Sequence, residues 1–501
     1  MALPIAGVVL AAFGTETADI AARDIARYAA TSAWLALLVG IVTALVGTLA
    51  AWLVAMYRFP CRDLFAWALA VPLAVPAFAL AYGYGDLFDV AGTLRTGLRG
   101  ATGYDLPFEM RSIGGATFIL SAAFYPYVYL AMRAAFINQS VGTLEAARML
   151  GCSGTGALWR VALPMARPAL AAGVALAVME TLADYGAVQF LSVQTLTTGV
   201  VRAWSVYGST VSAARFALPL LVAAALLLWL ERASRRGRTH EGGKARWRAI
   251  NVQQIGGARA WAAFAFCLSL LTAGLLLPVG WLLWNLAQTN ADWPRLVAAT
   301  RTSLFLGVAG AFVTVALATM LALGTRHLPL AGRIASLGYA TPGAVMAIGL
   351  LAPAGVIWNL APGSGAVIAI LLLITAYAAR LMAAALEPID AGLARVTPSM
   401  RHAARTLGRG EAGAALAVDL PVARGAMLTA GLIVFIDILK ELPATLILRP
   451  FDFDTLAVIA NNYALDERLG QAGLPSVLIV ALSMPVVVWL SGRIADARPG
   501  T

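Results

Sequence analysis

The chain has 501 residues, 60% of them hydrophobic and only 12% charged, about half the charged fraction of a soluble domain. Mean hydropathy is +0.81, and five stretches (28–57, 112–132, 261–291, 302–325 and 334–379) hold no Arg, Lys, Asp or Glu. Each is long enough for a bilayer-spanning helix of about 20 residues, which excludes an ordinary soluble enzyme. The net charge of +11 falls in short loops between spans, without an aromatic-interleaved basic groove, so nucleic acid is excluded as a partner.

Residues 1–14 are apolar but short, and no basic region precedes them. They read as a shortened first membrane helix and not as a cleaved signal peptide. Further spans are expected near 31–56, 64–84, 112–132, 169–190 and 212–231. A basic segment, 231–248, follows. The next spans are expected near 261–287, 299–323, 335–355, 365–385, 425–448 and 473–491. The turn at 359–365, with one proline and two glycines, separates two helices in the longest uncharged gap. The expected fold is thus an all-α polytopic membrane protein of about 12 spans, the first shortened. Basic residues concentrate at 57–62, 231–248, 326–333 and after 491, which places those segments in the cytoplasm.

Cys61, Cys152 and Cys267, and His240, His327 and His402, are scattered. Neither set makes a metal or disulfide spacing.

The sequence repeats. An offset of 257 aligns 145–167 with 402–424, and 12 of 23 positions are identical without a gap. The span order repeats around both copies. The chain is therefore expected to be two similar membrane halves: 1–232 with a loop at 134–168, a linker at 233–260, and 261–501 with a loop at 386–424. Such repeats recur in transporters that surround one pathway. In each copy a short amphipathic helix, a glycine turn and a second short helix ending or bending at Pro164 are expected. An element of this kind docks into a groove on a soluble partner or rests on lipid.

The first copy reads Glu145-Ala146-Ala147, then Gly151, Val161 and Leu163-Pro164. The second reads His402-Ala403-Ala404, then Gly408, Val418 and Leu420-Pro421. This pattern resembles the signature loop of bacterial binding-protein-dependent ABC importer permeases. The resemblance implies that each loop is a coupling helix seated on an ATP-binding subunit. His402 departs from the pattern, which has Glu there; the departure puts the ionic contact expected at that position in doubt, or implies unequal ATPase contacts. Stretches 179–200 and 437–458 resemble the iron(III) permeases of that family, which are two-half chains of this length. The thiamine permeases are the nearest alternative. The resemblance implies a bacterial inner-membrane location, two copies of an ABC ATP-binding subunit and a periplasmic iron-binding protein.

The chain has only two lysines, Lys244 and Lys440, and neither completes a Gly-Lys-Ser/Thr phosphate loop. No cofactor is expected on this chain; ATP and Mg belong to the partner ATPase. A membrane-embedded enzyme is the alternative of a different class, but no recognised catalytic set is present.

Glu180 and Asp184 lie 13 and 17 residues after Arg167, or roughly 20 and 25 Å along a helix. Asp437 and Glu441 match them at the same offset. Carboxylates at such depth face a polar path or a partner. Two readings stay open: lining or gating a cation pathway, or ion pairing, with Lys440 and Arg449 as nearby partners. Pro443 is expected to kink or end its helix, with Gly186 in the equivalent position.

Overall fold

The computed structural model describes residues 2–15, 22–138, 156, 158–235, 252–286, 289–290, 292–324, 338, 341–360 and 363–496. The helices are α1 (Ala2–Ala12), α2 (Ala22–Met56), α3 (Arg62–Ala68), α4 (Ala77–Phe88), α5 (Thr93–Thr102) and α6 (Ile113–Asn138). There follow α7 (Leu163–Ala183), α8 (Gly186–Phe190), α9 (Leu196–Ser205) and α10 (Thr210–Arg235). Next come α11 (Gly257–Leu271), α12 (Leu277–Leu286), α13 (Trp293–Gly324), α14 (Gly343–Leu360) and α15 (Gly365–Leu393). The last are α16 (Pro398–Thr406), α17 (Glu411–Ala414), α18 (Leu420–Leu439), α19 (Pro443–Leu448), α20 (Leu456–Leu465) and α21 (Leu469–Asp496). Two-residue strands β1 (Tyr57–Arg58) and β2 (Gln253–Gln254) pair in parallel. Among the described residues, 9 helices are long and apolar enough to cross a membrane. The chain is an all-α polytopic membrane protein.

The span expected near 64–84 is not one helix. It is α3, a tight turn over Val71–Ala74, and α4, within a pair of segments bent by 91°. Pro76 causes the break. The residue before a proline is pushed out of the helical region, and Val75 is extended at ψ 120°. The helix expected at 169–190 ends at Ala183, and the one at 425–448 ends at Leu439.

Three π turns occur in the described helices: Leu158–Ala162, Thr272–Leu276 and Ala415–Asp419. Each immediately precedes a Leu-Pro pair: Leu163-Pro164, Leu277-Pro278 and Leu420-Pro421. Proline lacks an N–H, and its ring crowds the carbonyl four residues back. A wider turn relieves that crowding without ending the helix. The second copy of the repeated passage therefore differs from the expected separate short helix. The helix continues from Glu411 through Pro421 to Leu439, and the matching segment from Leu158 through Pro164 to Ala183.

The chain forms two compact units that are not consecutive in sequence. One comprises Met1–Tyr28, Leu196–Ala225 and Asn290–Tyr463; the other Ala29–Thr195, Leu226–Thr289 and Ala464–Thr501. In the first, α13, α15 and α18 pack together. On α13, Thr314 is wholly buried while Phe312 is 74% exposed. Small and polar residues face the bundle and large apolar ones face outward, as a lipid solvent demands. The Thr314 hydroxyl donates to the Gly310 carbonyl at 2.6 Å, so no polar group is stranded. In the second unit α6 packs on α7, and a side chain at Gly173 would collide with the Val128 backbone.

Each unit also holds the first helix of the other sequence half. In the first unit α1 crosses α14, where a Cβ on Gly349 would collide with the Pro4 carbonyl and one on Gly7 with the Gly349 carbonyl. In the second, α12 crosses α4, where a Cβ on Gly83 would press on Pro278 at 3.2 Å. A Leu-Pro pair meets a glycine in both. α1 has 11 residues, roughly 16 Å of helix, too short to cross a bilayer core. Arg215 closes its end, donating to the Ala12 and Gly14 carbonyls at 3.2 and 3.3 Å.

Candidate coupling element and helix break

Glu145, Ala146, Ala147 and Gly151 lie outside the described residues. Leu163 and Pro164 open α7, just after the first π turn. The second copy is described throughout. Pro398 opens α16, where its missing N–H costs nothing. Ala404 is buried; His402, Ala403, Leu407 and Gly408 are exposed. Gly408 stops the helix at φ +82°. Its N–H donates to the Arg405 carbonyl at 3.0 Å, and the Arg409 N–H to the Ala404 carbonyl at 3.1 Å. This is the paired helix-ending bond pattern that needs a left-handed residue. The chain then re-enters a helix at Glu411. Arg401 reaches across to Asp419 at 2.8 Å, and Arg405 to Glu411 at 2.7 Å. Leu420 and Pro421 begin α18.

At the far end of the long helices the two halves break alike. α7 ends at Ala183, and Asp184 Oδ1 accepts the Ala187 and Val188 N–H groups at 3.1 Å each. α18 ends at Leu439, and Glu441 Oε1 accepts the Ala444 N–H at 3.2 Å. Each carboxylate thus serves N–H groups that lack an intrahelical partner at the start of a short helix, α8 or α19. Glu180 lies one turn before Asp184. Pro443 is the first residue of α19 and is buried.

The second-half acids are also ion-paired. Asp437 binds Lys440 at 2.9 Å. Glu441, 6% exposed, pairs with Arg380 of α15. Beside it, Tyr377 and Thr445 share a hydrogen bond of 2.7 Å. Arg449 pairs with Asp454 instead of Asp437 or Glu441. Sequence reasoning missed Arg380. The available signal was its place at the end of the longest uncharged stretch, where a lone arginine demands an anion. The two acidic pairs fall in different compact units. Among the described residues, no three His, Cys, Asp or Glu side chains group to hold a metal ion.

Beyond the span ends, Arg111 donates to Asp89 at 2.6 Å and to both Glu467 oxygens at 2.9 and 3.0 Å. Its guanidinium lies 5.1 Å from the Phe190 ring centroid of α8. Nearby, Arg95 binds Asp105 at 2.7 and 3.2 Å and holds that carboxyl below its ordinary pKa. A depressed carboxyl contributes stability above its unfolded pKa and loses it as pH falls through the folded one. Backbone hydrogen-exchange protection around Asp105 is expected to persist as pH drops through about 4. Loss should begin only in more acid solution; loss already near pH 6 would contradict the assignment.

Residues 36–240 match the family model described as binding-protein-dependent transport system inner membrane component. The chain is 24% identical to an Fe(3+)-transport system permease protein of Haemophilus influenzae over 460 residues, 90% of this chain and 86% of that protein. It is 30% identical to a sulfate transport system permease protein of Escherichia coli over 146 residues, 29% of this chain and 51% of that one. A putative 2-aminoethylphosphonate transport system permease protein of Salmonella paratyphi A is 26% identical over 156 residues, 31% of this chain and 54% of its own length.

Proposed function

We propose that this chain, a multi-pass inner-membrane permease of the binding-protein-dependent ABC importer type, carries ferric iron from periplasm to cytoplasm. The observation that carries the substrate is the extent of similarity. The iron(III) permease aligns over 90% of the chain, through both sequence halves, whereas the sulfate permease aligns over 29%. A periplasmic iron-binding protein delivers the cargo. Two ABC ATP-binding subunits close on ATP and Mg, and the two docking passages carry that motion into the membrane.

Glu145, Ala146, Ala147 and Gly151 form the first dock, and His402, Ala403, Ala404 and Gly408 the second. The π turns pass the displacement on to Leu163-Pro164 and Leu420-Pro421, which open α7 and α18. The halves then alternate their opening, since ATP shifts the equilibrium only by binding one state better. Iron(III) is a hard cation suited to oxygen ligands. Glu180 and Asp184, with Asp437 and Glu441 at the equivalent positions, are the candidate acids to touch it or gate its path. Asp437 and Glu441 have Lys440 and Arg380 as counter-ions, which suits them to holding the break at Pro443. The chain itself hydrolyses nothing.

Reconstituted vesicles with the cognate partners test this reading. ATP-dependent uptake of iron(III), and none of thiamine, is the expected result. Thiamine uptake without iron uptake overturns the substrate.

A further inference from the structure

The two docking passages share their spacing, and in the second copy ion pairs tie the passage to the membrane helix that follows. In the second copy Arg401 Nε donates to Asp419 Oδ1 at 2.8 Å. Asp419 is the last residue of the π turn; its side chain is 4% exposed and that of Arg401 24%. Arg405 and Glu411 form a second bridge, in water. Both bridges cross the Gly408 turn. At the offset of 257, Arg401, Arg405, Glu411 and Asp419 correspond to Leu144, Arg148, Gly154 and Ala162. The first copy keeps one arginine and has neither acid, so composition alone confines both bridges to the second copy.

The two bridges differ in strength. An exposed pair such as Arg405–Glu411 holds little. A nearly buried carboxylate with a cationic partner resists separation, because parting them strands a charge. Its location matters as well. A π turn is a local widening where a helix bends most readily. Left alone, it would absorb part of any push on α16 before that push reached α18. The ion pair fastens α16 to the far end of that soft turn.

We infer that Arg401 and Asp419 turn the second coupling element into a rigid strut, so that displacement of α16 is delivered undiminished to α18. The inference rests on the docking function proposed above. Both are positioning residues; neither touches cargo or nucleotide.

The test uses the whole complex in vesicles, with Asp419→Asn, Arg401→Met, Asp419→Glu and the exchange Arg401→Asp with Asp419→Arg. Three quantities are read: ATPase subunits co-purified, thermal unfolding of the complex, and iron(III) taken up per ATP hydrolysed. Asp419→Asn and Arg401→Met should assemble normally, yet lose at least about fivefold in uptake per ATP, the scale of a typical coupling energy. Asp419→Glu, which keeps the charge, should retain the ratio, and a folded exchange variant should regain it. A wild-type ratio in both single variants overturns the strut. So does a loss that only tracks fewer assembled complexes or earlier unfolding, since that is a merely structural role. If the wild-type chain binds no ATPase subunit, the docking function fails first, and that is seen before any variant is compared.

Discussion

Gly408→Val should leave the permease inserted and folded while sharply lowering uptake per ATP. Gly408 sits at φ +82°, and a Cβ placed on it would have no neighbour within 4 Å, so added bulk meets no obstacle. The cost is in the backbone: a left-handed L-residue loses about 1–2 kcal/mol, and a β-branched one pays at the upper end. That penalty favours a different ending for α16 and misdirects the exposed face carrying His402. Gly408→Asn is the control, because Asn tolerates the left-handed region better than other side chains, and it should keep most of the coupling. Gly151→Val should act likewise in the first copy. Uptake that survives both valine changes sinks the docking function; membrane insertion is checked separately by protease accessibility.

Arg380→Met should have the largest effect on stability. It leaves the Glu441 carboxylate buried, with the Ala444 N–H as a hydrogen bond but no counter-ion. Removing one member of a buried pair costs about 3–5 kcal/mol. Arg380→Met combined with Glu441→Met should recover much of that loss, because two apolar residues no longer strand a charge. Thermal unfolding in lipid nanodiscs measures both. A double variant as unstable as Arg380→Met alone would show that the pair is not the source. The double variant also loses the cap on α19, so full recovery is not expected.

The membrane fold was legible because uncharged stretches of bilayer length leave few alternatives. The repeat was legible because Gly408 and the Leu-Pro pairs recur at one spacing. Three things were not. The break at Val75 depends on Pro76 acting on its predecessor, and composition still reads 64–84 as one apolar span. The π turns are a response to proline inside a helix whose continuation is decided by packing. Arg380 and Glu441 are 61 positions apart, a pairing that only the packing of α15 on α18 and α19 creates. Asp437 and Lys440, three apart on one helical turn, were within reach of sequence reasoning because their geometry is local.

The crossing of α1 over α14 has a consequence for synthesis. Gly7 and Gly349 are 342 positions apart in the chain, yet their backbones touch. The ribosome makes α1 long before its landing place. During translation of the intervening residues, α1 has no native neighbour on α14. Its exposed Leu10 and Phe13 suit it to wait against acyl chains. Final assembly of that compact unit is therefore post-insertional for α1, and a ribosome-stalled chain ending before α14 should leave α1 open to cysteine labelling that the finished protein blocks.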